Sequence, residues 1–266
     1  MRSEVAMVPL DRSSHGHKTW KRFTSYQFAA TQHWVPIAAD ELAAAAVCLP
    51  LVYRRDTQGW QVMALLGLEE SHNVCVDDQG RWRNRYVPAA LRSQPFLVNL
   101  DDPGVLCIDE GSEWLIDGHG GEALFDDKGN PASFVRQTHE FLKVYAAGCR
   151  RLGALVTLLD QAEVLRPLSS PLLDGLPTLY GIDETRWYER LGSPLIGRLA
   201  RGVLPLVYAQ LISQTNLELL NRYRDADQGA RSLAEPANPA LDAFRNALGA
   251  ENAWAGALPP TFSNDA

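Results

Sequence analysis

Cysteine is scarce in this sequence, and its four copies are scattered. Cys48, Cys75, Cys107 and Cys149 form no CxxC pair, the spacing that zinc ribbons and redox dithiols use. Three of them lie in apolar runs typical of β-strands. We therefore interpret the cysteines as buried small hydrophobic residues that stay reduced, as is usual in a cytoplasm.

Long apolar segments are also missing. No run of about 18 uncharged apolar residues is present, so we expect no membrane span. Residues 1–20 lack the apolar core that a secretory signal needs, and we therefore expect a cytoplasmic protein. Export without a leader stays open as an alternative.

Signatures of common cofactors and nucleophiles are absent as well. The sequence has no GxGxxG or GxxxxGK[ST] motif for nucleotides and no GxSxG motif for a serine nucleophile. Its histidines show neither HxD nor HExxH spacing, although His119 with Glu122, or His139 with Glu140, could contribute to an iron centre. We predict no cofactor and no metal site, and we assign no catalytic residue.

Positive charge is in the minority. The formal net charge is -7, which repels phosphate backbones, so we do not expect nucleic acid as a ligand. The chain is 46% hydrophobic and 21% charged, as is typical of a folded globular protein.

The first half of the chain contains short apolar runs separated by Asp…Gly turns. The turn at Asp56–Gly59 predicts a β-hairpin with strands at 48–55 and 60–68. The turn at Asp78–Gly80 predicts a second hairpin, with strands at 73–77 and 81–87. Further strands are expected near 104–109, 113–117, 122–125 and 178–182, and a short helix at 40–48.

Helical spacing replaces the strand patterns after Pro131. Apolar residues recur at helical intervals from Phe134 to Ala146 and predict a helix that Gly148 or Gly153 divides in two. Further helices are predicted at 183–191, where Asp183 is the cap, at 194–204 and 205–223, each opened by a proline, and at 240–250.

These patterns together predict an α+β fold, in which an antiparallel, hairpin-rich sheet packs against a C-terminal helical layer. We expect a polar N-terminal arm at 1–24, loosely attached, and a single domain at 25–223. A polar C-terminal extension at 224–266 should be partly disordered. We expect any useful cavity to open along the seam between the sheet and the helices.

Several stretches, taken in order, resemble the SapC family of bacterial proteins. They are FAATQHWVPIAADEL (28–42), LPLVYRRDTQGWQVMALLGLE (49–69), NVCVDDQGRWRNRYVPAALRSQPF (73–96), LCIDEGS (106–112), ALFDDKGNP (123–131) and, within 179–222, LYGIDETRWYERL and VYAQLISQTNLELLNR. The resemblance covers roughly residues 25–223. The family name comes from a surface-layer gene cluster, and family genes often lie near TonB-dependent receptors, flavin-dependent halogenase-like proteins and cupin-type oxygenases. The resemblance therefore implies a role in a bacterial envelope or nutrient-uptake system, without a set of catalytic residues.

The segment at 81–98 is rich in arginine and aromatic residues. Arg85 and Arg92 could offer forked donors to a carboxylate or phosphate, with Trp82 and Tyr86 as flat faces for stacking. Strand alternation favours a structural interpretation, in which Trp82 and Tyr86 are buried while Arg85 lies on a solvated face. Arg92 follows a helical turn that would direct it toward the acidic strand end at 108–110.

Asp109 and Glu110 are adjacent carboxylates at that strand end. They could bind a cation or act as a general base, or they could simply face water or pair with Arg85 or Arg92. The candidate ligand-binding residues are therefore Trp82, Arg85, Tyr86, Arg92, Asp109 and Glu110.

The function that we predict is that of a SapC-like, non-catalytic accessory protein that binds a peptide, a protein or a small polar ligand. The alternatives are an enzyme of unrecognised type, such as an oxygenase or a modifying enzyme, and a surface-layer-associated protein. The apolar C-terminal helices could also mediate homo-oligomerisation or bind a protein partner.

Overall fold

The computed structural model of the chain describes residues 7–191 and 194–234, without the side chains of 194–201 and 230–234. Internal contacts divide the chain into two compact units, residues 1–224 and 225–266. The helix predicted at 240–250 and the disorder predicted for part of 224–266 fall on residues 235–266, which lie outside the described residues. The domain boundaries at 24 and 223 stay predictions.

Eleven strands are present in the described residues. They are β1 (Met7–Pro9), β2 (Lys18–Trp20), β3 (Trp34–Pro36), β4 (Leu51–Asp56), β5 (Gly59–Leu65), β6 (Phe96–Val98), β7 (Leu106–Asp109), β8 (Leu115–Asp117), β9 (Glu122–Ala123), β10 (Leu165–Pro167) and β11 (Tyr180–Ile182).

Seven α-helices accompany them. They are α1 (Arg12–His15), α2 (Leu42–Ala46), α3 (Ala89–Arg92), α4 (Ser133–Gln161), α5 (Glu184–Arg190), α6 (Pro194–Ser213) and α7 (Leu217–Ala234). Short 3₁₀ helices lie at Gln27–Ala29, Ala39–Glu41, Pro171–Leu173 and Gln214–Asn216.

The strands form three antiparallel sheets. The largest has the order β10-β11-β4-β5-β3, and the two smaller sheets have the orders β1-β7-β6 and β8-β2-β9. The predicted hairpin is confirmed as β4 and β5, where the Asp56 carboxylate accepts hydrogen bonds from the backbone N–H groups of Gln58 and Gly59. Antiparallel sheets with a helical C-terminal region confirm the predicted α+β class.

Residues near the N-terminus contribute strands to both small sheets. Within the segment predicted as a loose arm, β1 pairs with β7, and β2 pairs with both β8 and β9. Between them lies His15, whose side chain is fully buried. The described part of this segment is therefore held by backbone pairing.

The second predicted hairpin is present only as a turn with a single bridge, and its arms are not extended strands. Between residues 73 and 87 the only strand-like contact is an isolated bridge between Val76 and Trp82. Two backbone hydrogen bonds flank this bridge, from the Asp77 N–H to the Arg81 carbonyl and from the Arg83 N–H to the Cys75 carbonyl. Side chains bond other backbone groups of the stretch. The Asn73 side chain accepts from the Cys75 N–H, and the indole N–H of Trp82 donates to the Tyr86 carbonyl. These local bonds compete with a regular ladder.

Helix α4 is one continuous helix of 29 residues, so the predicted division at Gly148 or Gly153 is wrong. Both glycines are sites of close approach. A Cβ atom at Gly153 would lie 2.4 Å from the carbonyl oxygen of Trp60, and one at Gly148 would lie 2.9 Å from the Cβ of Ala38. Packing against the rest of the domain therefore explains the glycines better than a break in the helix.

The break between the last two helices also differs from the prediction. Helix α6 runs through Pro205 and ends at Ser213. Its buried Gln210 bridges two strands that share only one residue pair: its side-chain oxygen accepts from the Ile182 N–H at 3.1 Å, and its amide donates to the Leu51 carbonyl at 3.5 Å. Pro205 has no backbone N–H group, so α6 lacks one helical hydrogen bond at this position. Tertiary contacts such as those of Gln210 offset that loss.

Two clusters of buried apolar side chains form the interior, and α4 contributes to both. Val135 and Leu142, from its first half, belong to the cluster around β6 and β7. Leu152 and Val156, from its second half, belong to the larger cluster around β4 and β5. None of the helices in the described ranges has the length and apolar character needed to cross a bilayer.

Candidate functional site

Two adjacent cavities open along the first half of α4, where it faces residues 20–22 and 38–41 and helix α3. The wide cavity, of about 310 Å³, is lined by Trp20, Arg22, Arg92, Ser93, Phe134, Gln137, Thr138 and Phe141. The narrow cavity, of about 130 Å³, is lined by Ala38, Asp40, Glu41, Tyr86, Ala89, Arg92, Phe141, Val144 and Tyr145. Because Arg92 and Phe141 line both, we treat the cavities as one site and call it the α4 groove.

Arg92 is the central residue of this groove. It is the last residue of α3, and its exposed guanidinium carbon lies 5.8 Å from the ring centroid of Tyr86 and 5.7 Å from that of Phe141. In the described part of the chain, its guanidinium forms no ion pair with a carboxylate. A guanidinium held over aromatic rings keeps its forked donors available for an anion.

Stacked aromatic rings form one wall of the wide cavity. Trp20 stacks on Phe134 with centroids 5.2 Å apart and an interplanar angle of 19°. The Arg22 guanidinium lies 6.0 Å from the centroid of the Trp20 ring and 3.6 Å from the carboxylate of Glu122. The Arg22 side chain is largely exposed, and that of Glu122 is about half exposed. This end of the groove therefore combines an apolar wall with positive charge.

Glu41 holds the narrow end together. Its carboxylate is buried and accepts three hydrogen bonds, from the Ala38 N–H at 2.9 Å, the Tyr86 hydroxyl at 2.6 Å and the Ala89 N–H at 2.8 Å. Glu41 thus fixes both the ring beneath Arg92 and the first residue of the helix that carries Arg92. Burial, followed by the bond to Glu41, raises the pKa of Tyr86.

The structure brings together only some of the residues that the sequence nominated. Tyr86 and Arg92 line the groove. Trp82 does not line it; its ring centroid lies 5.6 Å from that of Tyr26, and its indole N–H donates to the Tyr86 carbonyl. Arg85 is exposed and is not among the residues that line either cavity.

The two acidic candidates have local partners instead. Asp109 accepts a hydrogen bond from the Gly111 N–H at 3.0 Å. Glu110 lies 3.0 Å from the Nε2 atom of His15. Neither forms an ion pair with Arg85 or Arg92 among the described residues, so the pairing that we considered is not present there. Their role in ligand binding stays a prediction.

Several groove residues were missed by sequence reasoning. Phe134, Phe141 and Tyr145 follow helical spacing on α4, and that spacing predicts a helix without indicating a groove. Phe141 is in fact 39% exposed. Sequence reasoning did not single out Glu41, because its role in the groove depends on the Tyr86 hydroxyl and the Ala89 N–H, which are distant in sequence.

No group of three or more His, Cys, Asp or Glu side chains that could hold a metal ion occurs in residues 7–191 and 194–234. The four cysteines are free thiols, and burial raises the pKa of Cys149 to about 12. The residues that line the groove offer arginine, amide, hydroxyl, carboxylate and aromatic groups to a ligand.

Comparison with known proteins gives one match. A family model described as SapC matches residues 10–220, which include every residue that lines the groove. No curated protein and no solved structure matches the chain significantly.

Proposed function

The chain belongs to the SapC family, and from this premise we propose that it is a binding protein whose α4 groove holds an organic anion. The ligand would present a carboxylate to Arg92 and an apolar body to the aromatic wall. We further propose that the protein works in the cytoplasm as an accessory of an envelope or nutrient-uptake system. That context is supported by the family resemblance.

The position of Arg92 is the observation that carries the proposal. An arginine on a protein surface usually faces water or pairs with a nearby carboxylate. Arg92 instead lies over two rings at the junction of two cavities, without an ion pair among the described residues. An anion bound there would gain two parallel hydrogen bonds and would be partly shielded from water by the rings.

The groups around Arg92 favour binding over chemistry. Burial raises the pKa values of Tyr86 and Tyr145, so both hydroxyls stay protonated near neutral pH. Both also have a fixed acceptor, since Tyr86 donates to Glu41 and Tyr145 donates to the Pro36 carbonyl at 3.0 Å. A general base or nucleophile needs a pKa close to the working pH. The pKa values of these two hydroxyls are shifted away from neutral pH instead.

Calorimetric titration with 3-phenylpropionate and with its neutral amide tests the proposal. We expect the carboxylate to bind at least about tenfold tighter than the amide, since a charged hydrogen-bonded pair contributes about 1.4 kcal/mol or more. Arg92→Ala should remove this preference. Arg151→Ala, an exposed arginine on the second half of α4, is the matched control and should keep it.

Melting temperature separates binding from folding in these variants. Because Arg92 is exposed, Arg92→Ala should melt close to the unmodified protein. Equal affinity for acid and amide, no detectable binding of the acid, or full binding by Arg92→Ala would each overturn the proposal.

A further inference from the structure

The charges that line the α4 groove are separated along its length. Arg22 and Arg92 are the charged residues that line the wide cavity, and Arg22 is paired with Glu122 at 3.6 Å. Asp40 and Glu41 line the narrow cavity together with Arg92, which lines both cavities. One end of the groove therefore favours an anion and the other end favours a cation.

The buried carboxylate of Glu41 is the stronger observation at the acidic end. Glu41 is only 6% exposed. The three groups that donate hydrogen bonds to its carboxylate are two backbone N–H groups and the Tyr86 hydroxyl, and all three are neutral. Buried charges are normally paired with an opposite charge because their removal from water is costly. A carboxylate has about four acceptor positions, and Glu41 uses three of them. A ligand in the narrow cavity could therefore donate one more hydrogen bond to it.

Asp40 adds a second, exposed carboxylate at the same end. Among the described residues, no ion pair joins its carboxylate to a lysine, an arginine or a histidine. An ammonium group in the narrow cavity would thus meet two carboxylates, one buried and one exposed. Phe141, which lines both cavities, and Val144, which lines the narrow one, are 39% and 58% exposed despite being apolar.

We infer that the α4 groove recognises a short zwitterionic peptide with apolar side chains. This inference rests on the proposed function, since it uses Arg92 for the carboxylate, and it adds the acidic end for the ammonium group. Phe141 and Val144 contact the apolar side chains. A free amino acid carries the same two charged groups at a shorter separation and is the alternative ligand of this class.

The test compares four probes by calorimetry: the dipeptide Phe-Leu, its N-acetyl form, its C-terminal amide and free phenylalanine. We expect Phe-Leu to bind at least about tenfold tighter than the N-acetyl form and than free phenylalanine. Asp40→Asn should reduce the preference over the N-acetyl form, and Glu41→Gln should do the same where the variant folds. Asp127→Asn, an exposed carboxylate in a distant turn, is the control and should keep the preference.

The outcomes separate this inference from the function on which it rests. If the free and the N-acetyl dipeptides bind equally and Arg92→Ala removes the binding of both, recognition of the ammonium group is contradicted. The proposed anion site at Arg92 would still be supported by that result. If free phenylalanine binds more tightly than Phe-Leu, the inference that the ligand is a peptide is contradicted. Binding that is insensitive to Arg92→Ala, or no binding of any probe, would overturn both.

Discussion

The hydroxyl of Tyr86 donates a 2.6 Å hydrogen bond to the buried carboxylate of Glu41, across 45 residues of sequence. The same carboxylate oxygen accepts from the Ala89 N–H, at the first residue of α3. One side chain therefore connects the turn before α2 with the segment that presents Arg92.

Replacement of Glu41 should destabilise the fold. Glu41→Ala leaves two buried backbone N–H groups and one hydroxyl without their acceptor, and each such group costs about 1–3 kcal/mol. We expect the free energy of unfolding, measured with urea, to fall by about 3 kcal/mol or more. Asp40→Ala, which removes the exposed neighbouring carboxylate, should change it by less than about 0.5 kcal/mol. Equal effects of the two variants would contradict the anchoring role of Glu41.

Buried tyrosines should make the protein sensitive to alkaline pH. Burial raises the pKa values of Tyr53, Tyr86 and Tyr145 above the ordinary value of 10.0. Above that pH the unfolded chain loses tyrosine protons that the folded chain keeps, so the unfolded state gains stability. The stabilisation is complete below pH 10 and decreases as the pH rises further, by about 1.4 kcal/mol per pH unit for each such tyrosine.

The slope of stability against pH measures this effect. Urea unfolding between pH 9 and about 11.5 should show a smaller slope for Tyr53→Phe than for the unmodified protein. Tyr188→Phe, at a tyrosine that is 56% exposed, is the matched control. Identical slopes in all three proteins would show that Tyr53 ionises as easily in the folded state as in the unfolded state.

Local patterns predicted the parts of the fold that depend on neighbours in sequence. The hairpin of β4 and β5 follows from its alternation and its Asp…Gly turn, and α5 begins at the predicted cap, where Asp183 accepts from the Arg186 N–H. The segment at 73–87 has the same pattern and forms its turn, but its pairing is limited to the Val76–Trp82 bridge, and the side chains of Asn73 and Trp82 bond other backbone groups. The turn chemistry was recognised there, while the pairing depends on tertiary contacts.

The site was only partly predictable for the same reason. Arg92 and Tyr86 share a short segment, and their residue types suggested a ligand. Glu41 and Phe141, which complete the groove, are distant in sequence and look like ordinary helix residues. Spacing identifies which face of α4 is apolar, but it cannot show that part of this face stays open.

Two glycines in helices should respond to alanine with opposite signs. Gly153→Ala would place a Cβ 2.4 Å from the Trp60 carbonyl oxygen, and such overpacking costs about 1–3 kcal/mol. At Gly202, in α6, the nearest atom to an added Cβ would be 3.6 Å away, an ordinary contact. Gly202→Ala should therefore stabilise the protein by about 0.5–1 kcal/mol through helix propensity. Thermal unfolding of both variants checks the signs, and stabilisation by Gly153→Ala would contradict the close approach of α4 and β5.

The buried His15 should stabilise the N-terminal segment. Its ring is fully buried, with Nε2 3.0 Å from Glu110 and Nδ1 3.2 Å from the Asp11 N–H. His15→Ala removes these bonds and leaves a cavity, which should cost about 2–4 kcal/mol. His17→Ala, at a side chain that is 62% exposed, should cost less than about 0.5 kcal/mol. Limited proteolysis should cut the His15→Ala variant faster within residues 7–20, and equal protection in both variants would show that this segment is held by strand pairing alone.

Gln210 should stabilise the largest sheet at its weakest pairing. Strands β4 and β11 share one residue pair, Tyr53 with Tyr180, and Gln210 connects the Ile182 N–H with the Leu51 carbonyl beside it. The Leu51 carbonyl has a second donor in the Gln214 amide at 2.7 Å, so the Ile182 N–H is the group that depends most on Gln210.

Gln210→Ala should lower the free energy of unfolding by about 1–3 kcal/mol, the cost of one buried donor without an acceptor. Gln58→Ala, in the exposed turn of the hairpin, is the control. Amide hydrogen exchange gives the sharper measurement, because the Ile182 amide should lose its protection in Gln210→Ala while the amides of β5 keep theirs. An unchanged Ile182 amide would mean that its protection does not depend on Gln210.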